Sequence, residues 1–214
     1  MLDPTLLAAF LVVVVAVVVS PGPDTLFVVA SGLRHRAAGA VAAALGIASG
    51  SLVHALAAAL GVSALVAAAP GVFELLRLAG AAYLAWLGLK ALRAALRRQT
   101  AGEAVARPVE SSPGQVYRQA VVTNLLNPKV IVFYLALLPQ FAAPALGSVG
   151  LQMFLLGCIH AGLGGVWLSA VGLGSGAAAG WLARRTFARW LDGIAGVFFL
   201  GLALRLALED RAGR

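Results

Sequence analysis

The chain has 214 residues, of which 61% are hydrophobic and only 11% charged, with a formal net charge of +8 and a mean hydropathy of +0.95. An average soluble domain is about 25% charged, and a soluble protein of this length could not hide so much apolar surface; a bilayer protein need not, because lipid solvates the outer faces of its helices. The apolar runs lack strand alternation and far exceed the roughly ten residues of a membrane barrel strand, so an all-α integral membrane fold with six spans is expected.

In chain order, the first span is predicted at about Thr5–Gly32, interrupted by Ser20-Pro21-Gly22-Pro23. An acid, Asp3, stands where a secretory signal would be basic, and prolines follow the run where a cleavage site would lie, so the span is read as retained. The second span is predicted at about Ala38–Ala68 and the third at about Val72–Leu96. A polar stretch, 98–114, follows. The fourth span, about Gln119–Phe141, contains Asn127-Pro128-Lys129. The fifth runs from about Val149 to Ser175 and the sixth from about Leu191 to Leu208. The one cysteine, Cys158, lies in an apolar run and excludes an intrachain disulfide.

Basic residues fall in three segments. One holds Arg34 and Arg36. The second holds Lys90, Arg93, Arg97, Arg98, Arg107 and Arg118. The third holds Arg184, Arg185 and Arg189. The opposite loops hold none. The positive-inside rule puts these segments in the cytoplasm and both termini outside; Arg211 and Arg214 in the tail oppose this, beside Glu209 and Asp210. The positive charge is then mainly a topology signal, and no nucleic-acid partner is expected.

Spans one and four run in opposite directions, and each is broken by proline. The linker 98–114 divides the chain into halves, 1–97 and 115–214, each of three helices. That is the pattern of an inverted repeat. His54 lies 31 residues after Pro23, and His160 lies 32 after Pro128. Gly80-Ala81-Ala82-Tyr83-Leu84 matches Gly196-Val197-Phe198-Phe199-Leu200 in the third span of each half.

A charge at bilayer depth is costly and marks a functional candidate. Spans one and four carry one each, Asp24 and Lys129, and each directly follows a proline. Proline has no N–H and its ring clashes with the carbonyl four residues back. Pro21, Pro23 and Pro128 should therefore free the carbonyls of Val17, Val19 and Asn124. Gly22 adds backbone freedom, and Asn127 is biased out of helical geometry by the proline after it. Free carbonyls at this depth must line a cavity or find partners. Two breaks meeting at mid-membrane would enclose a polar chamber made of Asp24, Lys129, Asn124, Asn127 and the backbone at Ser20. Such a chamber suits a zwitterion: Asp24 for an α-ammonium, Lys129 and a half-helix N-terminus for an α-carboxylate. The alternative is an Asp24–Lys129 ion pair that only locks the two spans together.

His54 and His160 lie inside spans two and five. Either they carry protons or they are neutral rings bonded to backbone or hydroxyl groups. No metal or cofactor is expected, because neither helix has ligand spacing. Gly46 and Gly50 form a small-xxx-small pair for close helix contact, and a homodimer is one use for such faces.

As a set, these motifs resemble the LysE/RhtB family of bacterial amino-acid exporters. The resemblance rests on Ser20-Pro21-Gly22-Pro23-Asp24, Gly32-Leu33-Arg34-His35-Arg36-Ala37-Ala38-Gly39, Gly46-Ile47-Ala48-Ser49-Gly50 with His54, Asn124-Leu125-Leu126-Asn127-Pro128-Lys129, Phe133-Tyr134 and Leu138-Pro139-Gln140-Phe141. It implies a multi-pass protein of the bacterial cytoplasmic membrane that exports amino acids or close derivatives, driven by the proton gradient. Family substrates include lysine, arginine, threonine and homoserine. With Asp24 the single mid-membrane acid, neutral amino acids are favoured here. Three other readings compete. A membrane serine protease would need Ser49 and a histidine within bonding reach, and His54, five residues on, is poorly directed for that. A channel needs a continuous polar lining, which spans two and five lack. A non-transporting helper subunit would leave the buried charges unexplained.

Overall fold

The computed structural model describes residues 2–62, 70–96, 111–175 and 185–208, and all of its described regular elements are helical. Helix α1 spans Pro4–Val19. Asp3 caps it, accepting from the Thr5 and Leu6 N–H groups at 2.9 Å each, and Pro4 starts it where the missing N–H costs nothing. Helix α2 spans Pro23–Ala57 and continues as a π-helical turn, Ala58–Val62. Helix α3 is Pro70–Leu96. Helix α4 is Pro113–Leu125, opened by a capping box between Ser112 and Gln115. Helix α5 is Pro128–Val132, followed by a π turn, Phe133–Leu137, and a 3₁₀ turn, Leu138–Phe141. Helix α6 is Val149–Leu173 and α7 is Arg185–Leu208.

Helix α2 is two helices. At Arg36 the backbone takes φ 55° and ψ −150°, a region almost confined to glycine that costs on the order of 1–3 kcal/mol elsewhere. The arms 23–35 and 37–57 fold back on each other there. In a straight helix Val28 and Ala40 would stand about 18 Å apart, yet both approach Gly172 of α6 closely enough that a Cβ there would press on each. The sequence reading placed a short connecting segment between Gly32 and Ala38. The structure makes the turn with one residue.

Two other boundaries differ. Helix α4 begins at Pro113, not near Gln119, because the capping box lies inside the polar stretch. Helix α7 begins at Arg185 rather than Leu191. The second helix is described only to Val62, so its expected end at Ala68 lies outside the described residues, as do linker residues 98–110 and Arg97.

Packing pairs α2 with both α4 and α6, and α3 with α7. The α3–α7 crossing is reciprocal. A Cβ on Gly88 would lie 2.9 Å from the Gly196 carbonyl oxygen, and one on Gly196 would lie 2.9 Å from that of Gly88. Leu200 and Leu92, each one turn on, fill the flanks. The backbones touch because both residues lack side chains. Gly196→Val should therefore force the helices apart and cost about 1–3 kcal/mol, read as a lower unfolding midpoint in detergent; an unchanged midpoint would mean that the crossing yields freely.

A core of Phe10, Val14, Phe133, Tyr134, Leu138, Met153 and Leu156 sits where α1, α6 and the residues after α5 meet. The outside is apolar too. Leu26, Leu60, Leu75, Val166, Val197 and Leu204 are all at least 60% exposed, which suits lipid rather than water. By length and composition helix Val149–Leu173 can cross a membrane, and so can the apolar run Pro23–Gly61, which the turn at Arg36 divides into two arms. A third span results if Pro113–Leu125 and Pro128–Phe141, bent by 51°, count as one.

Candidate binding site at two helix breaks

At the first break, α1 ends at Val19 and α2 restarts at Pro23. Pro21 cannot donate to the Val17 carbonyl. The Lys129 ammonium does so instead, at 3.1 Å, and also donates to the Ser20 carbonyl at 3.0 Å. A cation thus sits on the carbonyl-rich end of α1, where the helix dipole favours it. Gly22 leaves the room: a Cβ there would lie 3.2 Å from Lys129 Nζ.

At the second break, Asn127 caps α5 by accepting from the Lys129 N–H at 3.1 Å. Pro128 leaves the Asn124 carbonyl without its helical donor. That oxygen accepts from the Asn127 N–H at 3.0 Å and lies 3.4 Å from His54 Nε2, a bond whenever Nε2 carries the ring proton.

Asp24 follows the first break and is only 8% exposed. Its Oδ2 accepts from Asn124 Nδ2 at 2.9 Å, while Ser51 Oγ donates to Asn124 Oδ1 at 3.4 Å. Its Oδ1 is buried and has no hydrogen-bond partner. A buried carboxylate oxygen left unpaired is expensive. Asp24 lines a cavity of about 30 Å³ together with Thr25, Ser51, Lys129 and His160, room for a water or two at roughly 10–15 Å³ each. The rest of its wall is apolar or small: Val17, Val18, Ile47, Val130, Gly164, Gly165 and Leu168. The charges of Asp24 and Lys129 meet different partners, a side-chain amide and two carbonyls. A lock made of a direct ion pair is therefore not what holds the two breaks together; Asn124 and Lys129 cross between them instead.

On the other side of the breaks lies a larger cavity, about 270 Å³. Ser20, Pro21, Gly22, Pro23, Asn127, Pro128 and Lys129 form one wall, and Tyr83, Trp86, Lys90 and Phe199 face them from α3 and α7. Lys129 lines both cavities.

A family model for LysE type translocators matches residues 15–210. The chain belongs to the LysE translocator family. Among relatives, an uncharacterized membrane protein of Pseudomonas aeruginosa is 35% identical over 196 residues, 91% of each chain. A leucine efflux protein of Enterobacter sp. (strain 638) is 30% identical over 192 residues, 89% of this chain and 90% of that one. A leucine efflux protein of Klebsiella pneumoniae is 30% identical over 200 residues, 92% of each. No solved structure matches. The LysE-type chain is thus a membrane transporter and not an enzyme. Ser49 Oγ accepts from Tyr117 OH at 2.9 Å, while His54 turns to Asn124, so no serine–histidine pair forms between them. Among the described residues no cluster of three potential metal ligands occurs.

Sequence reasoning missed Tyr134, Ser51 and Lys90 in this translocator. Tyr134 is 1% exposed. Its hydroxyl lies 3.2 Å from the Gly157 carbonyl and 3.0 Å from His160 Nδ1, and its ring stacks on His54 at 5.5 Å. A phenol inside an apolar span needs a partner for its O–H, and two histidines were the available ones; that was the signal. His160 is thereby paired with the Tyr134 hydroxyl, while His54 faces the Asn124 carbonyl.

Proposed function

We propose that this LysE-type transporter exports neutral aliphatic amino acids from the cytoplasm in exchange for protons, by alternating access around the two helix breaks. The observation that carries the reading is the unpartnered Oδ1 of buried Asp24 at a cavity otherwise walled by aliphatic and glycine residues. An α-ammonium would satisfy that oxygen, and an apolar side chain would suit those walls. A second cationic side chain would find no further acid there among the described residues. Relatives named leucine efflux proteins support the same substrate class.

In this reading the protein sits in the bacterial inner membrane with six spans and both termini outside. Span one is α1 with the arm 23–35, span two is 37–62, and span three is α3. Span four is α4 with α5 and the turns after it, span five is α6, and span six is α7. Arg34 and Arg36 then mark the same cytoplasmic face as Lys90, Arg93 and Arg118. The reciprocal crossing of Gly88 and Gly196 supports an inverted repeat, since a two-fold axis pairs equivalent residues. It favours pairing Gly196 with Gly88 over the sequence match to Gly80.

Coupling needs one group. A proton arriving from outside neutralises Asp24 and removes the partner of the substrate ammonium, which releases the substrate outward. Once the site faces inward, Asp24 gives that proton up to the cytoplasm, which restores the carboxylate for the next substrate. The test is efflux from proteoliposomes loaded with labelled leucine, threonine or lysine, with and without an acid exterior. Leucine should leave fastest, accelerated by external acid. Efflux of lysine alone, or efflux indifferent to the pH difference, would overturn the reading.

A further inference from the structure

We propose that the 270 Å³ cavity between the helix breaks and α3/α7 is a docking site for the substrate carboxylate, ahead of the Asp24 chamber, with Lys90 and Asn127 as its binding groups. The inference rests on the export reading above and deepens it by giving the carboxylate its own place.

Size and charge both point there. The chamber at Asp24 holds no more than a water or two in this conformation, whereas the larger cavity approaches the ~300 Å³ of small ligand pockets. Lys90 and Lys129 line it, and no acidic side chain does so among the described residues. Asn127 lines it as well. It is 1% exposed, and its Nδ2 is buried with no hydrogen-bond partner although its Oδ1 is engaged in capping. An amide N–H₂ with nothing to donate to is as costly as an acceptor with no donor. A carboxylate lying between Lys90 and Asn127 would answer it with a charge-assisted bond. Lys90 Nζ stands 5.1 Å over the Trp86 ring, which holds the ammonium at the cavity wall and keeps its stem from collapsing into the space.

The geometry also gives a direction. Lys129 faces both cavities, and its ammonium rests on the Val17 and Ser20 carbonyls. A carboxylate docked at Lys90 and Asn127 stands on the far side of Lys129 from Asp24. Transfer of that carboxylate from Lys90 to Lys129 draws the ammonium end of the substrate towards Asp24. The sites act in sequence, Lys90 first.

Trp86 provides a reporter. In protein whose other tryptophans, Trp167, Trp181 and Trp190, are phenylalanine, reconstituted in nanodiscs of zwitterionic lipid, Trp86 fluorescence is titrated with leucine, with 4-methylpentanoate (carboxylate, no amine) and with leucinamide (amine, no carboxylate). The first two should saturate the signal and leucinamide should not. Lys90→Gln should weaken both carboxylates about tenfold or more, and Lys90→Arg should restore most of that. A leucinamide response equal to that of leucine, or carboxylate binding unchanged in Lys90→Gln, overturns the proposal. An anionic lipid headgroup could use the same chemistry. If phosphatidylglycerol in the nanodisc abolishes the leucine signal, the cavity is a lipid site and the proposal fails; an undiminished signal favours it. Asp24→Asn separates this inference from the export reading. Carboxylate binding at Trp86 should survive that substitution even though efflux does not.

Discussion

Asp24→Asn should abolish efflux while leaving the protein folded and inserted. The replacement is close to isosteric. The new amide oxygen can take the Asn124 Nδ2 bond that Oδ2 now accepts at 2.9 Å, and the amide nitrogen occupies the place of the unpartnered Oδ1. Removing a buried charge that has an incomplete set of partners relieves a desolvation cost, so the unfolding midpoint in detergent should hold or rise. In the proposed export cycle, transport depends on that same incompleteness. An amide neither attracts an ammonium as a carboxylate does nor takes up a proton in its place. Loss of one partner in a buried charge pair is worth ~2–5 kcal/mol, so leucine efflux should fall about a hundredfold or to background. The decisive measurement is efflux against a leucine gradient in proteoliposomes. Pumping by the Asn variant would remove Asp24 from the coupling mechanism.

Lys129→Met should damage both stability and transport. Methionine keeps most of the side-chain volume but leaves the Val17 and Ser20 carbonyls without the donor that now reaches them at 3.1 and 3.0 Å. Each buried carbonyl so exposed costs roughly 1–3 kcal/mol, and a bilayer interior offers no water to replace the donor. The unfolding midpoint should drop by more than that of Gly196→Val, and the apparent affinity for leucine should weaken at least tenfold. A midpoint equal to that of the wild-type protein would show that water already serves these carbonyls and that the ammonium is not a clamp.

Much of this site was legible without coordinates, for a specific reason. Proline determines which carbonyl loses its donor whatever the tertiary fold, so Val17 and Asn124 could be named from the positions of Pro21 and Pro128 alone. A charge in hydrocarbon is conspicuous in any order of residues, so Asp24 and Lys129 stood out as well. What those groups touch was not legible. The sequence reading put both charges in one chamber and left their direct pairing as an alternative; the structure gives Asp24 to Asn124 and Lys129 to the α1 carbonyls. That outcome depends on how far apart the broken ends lie, which no local pattern encodes. Lys90 was absorbed by the topology argument: a lysine near a cytoplasmic helix end already had an explanation, so its cavity went unseen. The α3–α7 contact was hidden by repetitiveness, since a chain with 25 glycines offers many plausible crossing points and only the folded backbones show that Gly88 and Gly196 meet. The one-residue turn at Arg36 had no signal, because positive φ is normally announced by glycine or asparagine.

That turn leaves the hairpin without slack. A loop of several residues would let the arm bearing Asp24 tilt while the arm bearing Ser51 and His54 stayed still. Joined through a single residue held at an uncommon backbone angle, the arms behave as a stiff elbow, and torque on one is delivered to the other. Any tilt that moves Asp24 relative to Asn124 therefore also drags Ser51 and His54 across the same asparagine, so the polar contacts around residue 124 break and re-form together rather than one at a time.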